Sequence, residues 1–180
     1  KFNFTDINRV LRTVPGVTIY EEDGFGLRPN ISLRGTSPER SAKITIMEDG
    51  VLAAPAPYSA PSAYYFPTIA RMQAVEILKG SSQVQYGPFT TGGAINMVST
   101  QIPTEFTGTI RGSYGSFNSS QFHAKVGDMK TNFGYMVEYL NYNSDGFKNL
   151  PSGRHTGFDK NDLVAKIKAN LFPNAKVKQR

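Results

Sequence analysis

From Glu105 onward, apolar residues fall at every second position. Ile110 and Tyr114, then Phe122, Ala124 and Val126, then Phe133, Tyr135, Val137 and Tyr139, then Leu163, Ala165, Ile167, Ala169 and Leu171 lie on one side of this repeat, which is the period of a β-strand. The other side carries Thr109, Arg111, Ser113, Gln121, His123, Lys125, Glu138, Asp162, Lys166, Lys168 and Asn170, with Met136, Leu140 and Val164 as exceptions. Four antiparallel strands with one apolar and one polar face are predicted. An apolar face of that size needs a cover, which is either a second sheet in a soluble sandwich or lipid around a barrel with a polar interior. A short turn at 128–132, a long polar segment at 143–159 and a short turn at Pro173-Asn174 give short connections on one side and a long one on the other. That is the outer-membrane barrel pattern, although the loop near 115–119 is short for an external one. Alternation alone leaves both covers open.

Residues 1 to about 103 follow another pattern. Thr5 or Asp6 can cap a helix in which Ile7, Val10, Leu11 and Val14 recur at helical spacing, and Pro15-Gly16 stops it. Short strands are predicted at 17–20, 31–34, 43–47, 74–78 and 94–98. Asp49-Gly50 supplies the positive backbone angle that a hairpin needs. Ile102-Pro103 closes this α+β unit, because proline cannot donate to a sheet ladder.

Composition narrows the function. The chain has 180 residues, no cysteine and two histidines, so disulfide scaffolds, thiolate metal sites and cysteine nucleophiles are excluded. His123 and His155 are too far apart for a local histidine cluster and are read as solvent-facing or lumen-facing. The net charge of +6 would suit a polyanion, yet the cations are scattered and only Lys176, Lys178 and Arg180 are dense, which argues against nucleic acid. Residues 51–70 contain no Asp, Glu, Lys or Arg, but Pro55, Pro57, Pro61 and Pro67 prevent a membrane-spanning helix. No secretory signal opens the chain, so any such segment is removed or lies outside this numbering. No nucleophile elbow, phosphate loop or metalloprotease helix occurs, and no enzyme activity is expected. The acidic groups Glu21-Glu22-Asp23 and Glu48-Asp49 are read as solvated turns.

The densest signal runs from Met72 to Ser99. It reads Met72-Gln-Ala-Val-Glu-Ile-Leu-Lys-Gly80, Gln85-Tyr-Gly-Pro88 and Gly92-Gly-Ala-Ile-Asn-Met-Val-Ser99, two strands joined by glycine-punctuated turns. It resembles the closing segment of the plug domain of TonB-dependent outer-membrane receptors. Three further marks are similar to that family's pattern and occur in its order: Val14-Pro-Gly-Val17, Ile31-Ser-Leu-Arg-Gly35 and Glu48-Asp-Gly-Val51. Within the family, Ala54-Pro-Ala-Pro-Tyr58 and the Tyr86-Gly87-Pro88 turn look most like the ferric dicitrate receptor branch. Lys79 in place of arginine, Phe89 in place of glutamine and Ser59 in place of glycine depart from the pattern.

The resemblance implies an α+β plug domain, a small mixed sheet with short helices, at 1–103, and the first four strands of a transmembrane β-barrel at 104–180. Plugged transporters need about 22 such strands, so a truncated barrel is expected. It further implies a bacterial outer-membrane location, contact with outer-membrane lipid, a TonB-type energy-coupling partner in the periplasm and a ferric chelate as transported ligand. The ligand would carry Fe3+, and no cofactor of the protein's own is implied. Pro57, Tyr58, Ser59, Gln85 and Tyr86 are the expected substrate contacts, since hydroxyl and amide groups suit the oxygens of an iron chelate. Tyr86-Gly87 can equally be a structural turn, and the charge-free segment with Tyr58, Tyr64, Tyr65 and Phe66 can be recognition loop or core. Arg34 and Lys79 are the expected plug–barrel locking residues, pairing with carboxylates on the inner barrel wall. The alternative is a soluble β-rich binding or adhesion module with no transport role.

Overall fold

The computed structural model describes residues 6–53, 65–87, 90–148, 151, 153 and 156–170. The chain divides into two units, Lys1–Thr100 and Gln101–Arg180.

The first unit is α+β. Helix α1, Ile7–Leu11, is capped by Asp6, whose carboxylate accepts the Asn8 N–H at 2.8 Å. Its sequence spacing extended to Val14, but the helix ends at Leu11. A residue before proline is pushed out of helical geometry, and Val14 precedes Pro15, so the chain instead turns through Val14 N–H to Leu11 O and Val17 N–H to Val14 O. Strand β1, Val17–Tyr20, pairs antiparallel with β2, Asn30–Leu33, with Val17 opposite Leu33.

A second, mixed sheet has the order β4-β3-β6-β5, made of β3 Ile44–Glu48, β4 Val51–Leu52, β5 Met72–Leu78 and β6 Gly93–Ser99. Asp49 and Gly50 both have positive φ, 50° and 79°, as a tight hairpin requires. β3 runs parallel to β6, with Ile46 opposite Ile95, whereas β5 and β6 are antiparallel and carry the motif read at 72–99. A Cβ on Gly93 would lie 2.4 Å from Leu33 Cδ1 and 2.7 Å from the Leu78 carbonyl oxygen. Only glycine admits that approach. Ile7, Leu11, Ile31, Leu33, Ile44, Ile46, Phe66, Ile69, Ile95 and Met97 form the core. Phe66, from the end of the charge-free segment, therefore serves packing.

The second unit is an antiparallel meander of β7 Thr107–Gly115, β8 Ser119–Met129, β9 Phe133–Ser144 and β10 Phe158–Ala169. Its register aligns the apolar positions: Ile110 faces Ala124, Ala124 faces Tyr139 and Tyr139 faces Leu163. A second row runs Val126, Val137, Ala165. The face is exposed, with Ile110 at 76%, Leu163 at 72% and Ile167 at 73%. The opposite face is where the alternation broke, and there Met136, Leu140, His123 and Glu138 are buried. Among the described residues no helix is long and apolar enough to cross a membrane, which says nothing of strands.

Candidate functional site

Gln85 and Tyr86 end the 3₁₀ turn Ser81–Tyr86 that joins β5 to β6, Gln85 exposed and Tyr86 half-buried. Gly80 and Gly87 flank the turn with φ of 120° and 111°, conformations that side-chain-bearing residues rarely adopt. The group that braces it is Gln83, which sequence reasoning missed. Buried at 6% exposure, Gln83 accepts the Gly80 N–H at 3.2 Å and donates to the Thr91 carbonyl at 3.4 Å. Thr90 adds a hydroxyl bond to the Gly87 carbonyl at 2.8 Å. The turn thus presents Gln85 and Tyr86 from a braced frame. Pro57, Tyr58 and Ser59 lie outside the described residues.

Arg34 and Lys79 both bond to carbonyl oxygens within the first unit. Arg34, at φ 55°, donates from Nε to Gly92 O at 3.3 Å and from Nη2 to Thr91 O at 3.1 Å. Lys79 Nζ donates to the Pro15 carbonyl. One cation thus caps the chain entering β6, the other the turn after α1.

Two acidic groups read as solvated turns are structural. Glu48 forms a fork with Arg71, Nη1 to Oε1 at 2.5 Å and Nη2 to Oε2 at 2.9 Å, and Arg71 also donates to the Tyr65 hydroxyl at 3.1 Å. Arg71 is only 4% exposed, so its charge is held out of water. The one available signal was that Arg71 is the first charged residue after the charge-free stretch. Asp49 clamps its turn to β6 by accepting the Ser99 N–H at 2.9 Å and the Ser99 hydroxyl. Asp23 likewise accepts the N–H groups of Phe25, Gly26 and Arg28 at 2.7, 2.7 and 2.8 Å, while exposed Glu21 pairs with Arg12 at 2.6 Å.

His123 is buried on the polar face of the sheet, against the solvent-facing reading and compatible with the lumen-facing one, its Nε2 lying 2.7 Å from Glu138 Oε1 on the neighbouring strand. His155 lies outside the described residues. Among the described residues no three acidic or imidazole groups converge in a way that could hold a metal. Burial pushes the Asp6 carboxyl above its ordinary 3.8, against the Asn8 N–H and with help from the nearby charge of Glu21.

Comparison with known proteins adds family and fold. The family described as TonB-dependent Receptor Plug Domain matches residues 1–94. The chain is similar to the ferric yersiniabactin uptake receptor FyuA from Yersinia pestis, with TM-score 0.69 and 26% identity, covering 88% of this chain and 25% of that one. It is also similar to the outer-membrane ferripyoverdine receptor of Pseudomonas aeruginosa bound to ferripyoverdine, with TM-score 0.74, 21% identity, and coverage of 96% and 22%. The siderophore receptor PirA from Acinetobacter baumannii gives TM-score 0.67, 19% identity, and coverage of 93% and 27%. The last two likenesses concern the fold alone. The chain spans about a quarter of the length of these receptors.

Proposed function

The chain belongs to the TonB-dependent receptors through its plug domain, and from that premise we propose that the protein takes up a ferric chelate across the bacterial outer membrane. A TonB-type protein in the periplasm pulls on the plug, the plug rearranges, and the bound chelate passes. The observation that carries the reading is the apolar face of β7–β10. Nine of its large side chains are exposed, from Ile110 and Tyr114 to Leu163 and Ile167, while the other face holds the buried His123–Glu138 pair. Lipid is the solvent that such a face suits, and a polar face suits the inside of a barrel.

Gln85 and Tyr86, on their braced turn, and Pro57, Tyr58 and Ser59 are the proposed contacts for the chelate. Arg34 and Lys79 are proposed to hold the plug in its barrel. Arg34→Ala should then loosen plug retention in the full-length receptor, and unchanged plug docking and transport would remove Arg34 from that role. Ferric citrate is the preferred ligand, on the strength of the Pro57-Tyr58 and Tyr86-Gly87 motifs, with other ferric siderophores as the wider class. The deciding experiment is saturable uptake of radio-iron by energised cells carrying the full-length receptor in their outer membrane, comparing ferric citrate with other ferric chelates. Uptake of a ferric chelate that stops without the coupling protein is the expected result; binding of cobalamin alone would overturn the iron assignment.

A further inference from the structure

Two glycines make a groove in the polar face of the second unit. Gly127 of β8 and Gly134 of β9 sit on adjacent strands one step apart, for Gly127 is opposite Met136 and Met129 is opposite Gly134. Both are buried. A Cβ on Gly127 would lie 2.7 Å from Pro103 Cδ and 2.8 Å from the Tyr135 carbonyl oxygen. On Gly134 it would lie 2.6 Å from Met129 Sδ and 3.1 Å from Ile102 Cγ2. Gly108, Gly112 and Gly115 of β7 differ, since a Cβ there would meet nothing within 4 Å among the described residues.

Glycine weakens a strand interior by chain entropy and by the packing it forgoes. Two glycines at neighbouring places on one face therefore need a physical reason, and room for Ile102 and Pro103 supplies one. Pro103 adds stiffness, because its ring fixes the backbone angle where the chain lies on Gly127. Met129 closes the groove beside Ile102. The segment 101–103, which leads into the strands, is thus fitted to the sheet by shape and does not hang free.

We infer that Gly127 and Gly134 are positioning residues that keep segment 101–103 seated on the sheet throughout transport. Rearrangement under pulling is then confined to residues before Gln101. The inference rests on the transport reading for its cycle, whereas the seat itself stands on geometry.

The native chain has no cysteine, so Ile102→Cys in the full-length receptor introduces a single thiol and leaves both glycines intact. Its maleimide labelling should change by less than about twofold when ligand and energy are supplied, and a rise of about tenfold would show that the segment leaves the sheet and would overturn the inference. Adding Gly127→Ala or Gly134→Ala should raise labelling of the same thiol at rest by about fivefold, because a Cβ there takes the room that Pro103 or Ile102 occupies. Unchanged labelling in both variants would show that the glycines do not seat the segment and would overturn the inference. A wild-type receptor that takes up no ferric chelate would sink the transport reading alone, because labelling at rest still reports on the seat.

Discussion

Arg71 carries a full charge at 4% exposure, a placement made tolerable where Glu48 meets both of its Nη atoms and Tyr65 accepts a third bond. Removing one partner leaves the other charge poorly solvated. Arg71→Met should destabilise the first unit by about 3 kcal/mol, the low end for a buried pair because Glu48 retains 23% exposure. Adding Glu48→Met should restore most of the loss, and hydrogen exchange of β3 and β6 amides reads both effects. Asp6 works in the other direction. Its carboxyl is raised above 3.8 by burial, so the ionised form is disfavoured in the fold and lowers stability at neutral pH. That penalty fades as pH falls through the raised value and is gone below 3.8. Asn caps a helix about as well as Asp, so Asp6→Asn should raise protection of the Arg12 amide, which bonds to Asn8 O, near pH 7, and the gain should vanish as pH approaches 3.8. The Asp6 cap was legible because donor and acceptor lie two residues apart. The Arg71–Glu48 fork spans 23 residues and exists only once β3 and β5 are placed, so no local pattern announces it.

Strands were the most legible elements, since a period of two survives whatever covers the sheet. The apolar series read from Ile110 to Ala169 shares one face in the observed register, while its last member, Leu171, and the turn at Pro173-Asn174 lie outside the described residues. What local pattern could not supply was the meaning of its exceptions: Met136 and Leu140 break the alternation yet are buried at 1% and 0% exposure. Helix α1 was read one turn too long, because side-chain spacing says nothing of the constraint that Pro15 puts on Val14. The candidate ligand turn was half legible. Its glycines marked the bend, but Gln83, which braces it, looks in sequence like any polar loop residue. If the exposed face meets hydrocarbon, Leu163→Arg should weaken folding of the full-length receptor in bilayers by about 2–4 kcal/mol at mid-depth. Arg111→Ala on the opposite face should cost far less, and equal costs, read from denaturant titrations in vesicles, would argue against lipid on the Leu163 side.

Across the chain, the two units differ in what they ask of solvent. The first buries ten apolar side chains in its own core, whereas the second exposes a row of them and, among the described residues, ends in edge strands β7 and β10. Open edges and apolar faces promote association. Residues 1–100 expressed alone should therefore remain monodisperse without detergent, and residues 1–180 should require it, as gel filtration would show. Composition signalled this contrast only weakly, because the overall apolar content of 39% averages over both halves. A further consequence lies in the parallel pairing of β3 with β6. Ile44 must find Gly93, 49 positions along the chain, so the central ladder has a high contact order and closes slowly. A ribosome must deliver almost the entire first unit before that ladder can form. Until then β3 has only the short local hairpin with β4, and the edge that β6 will cover stays open to association.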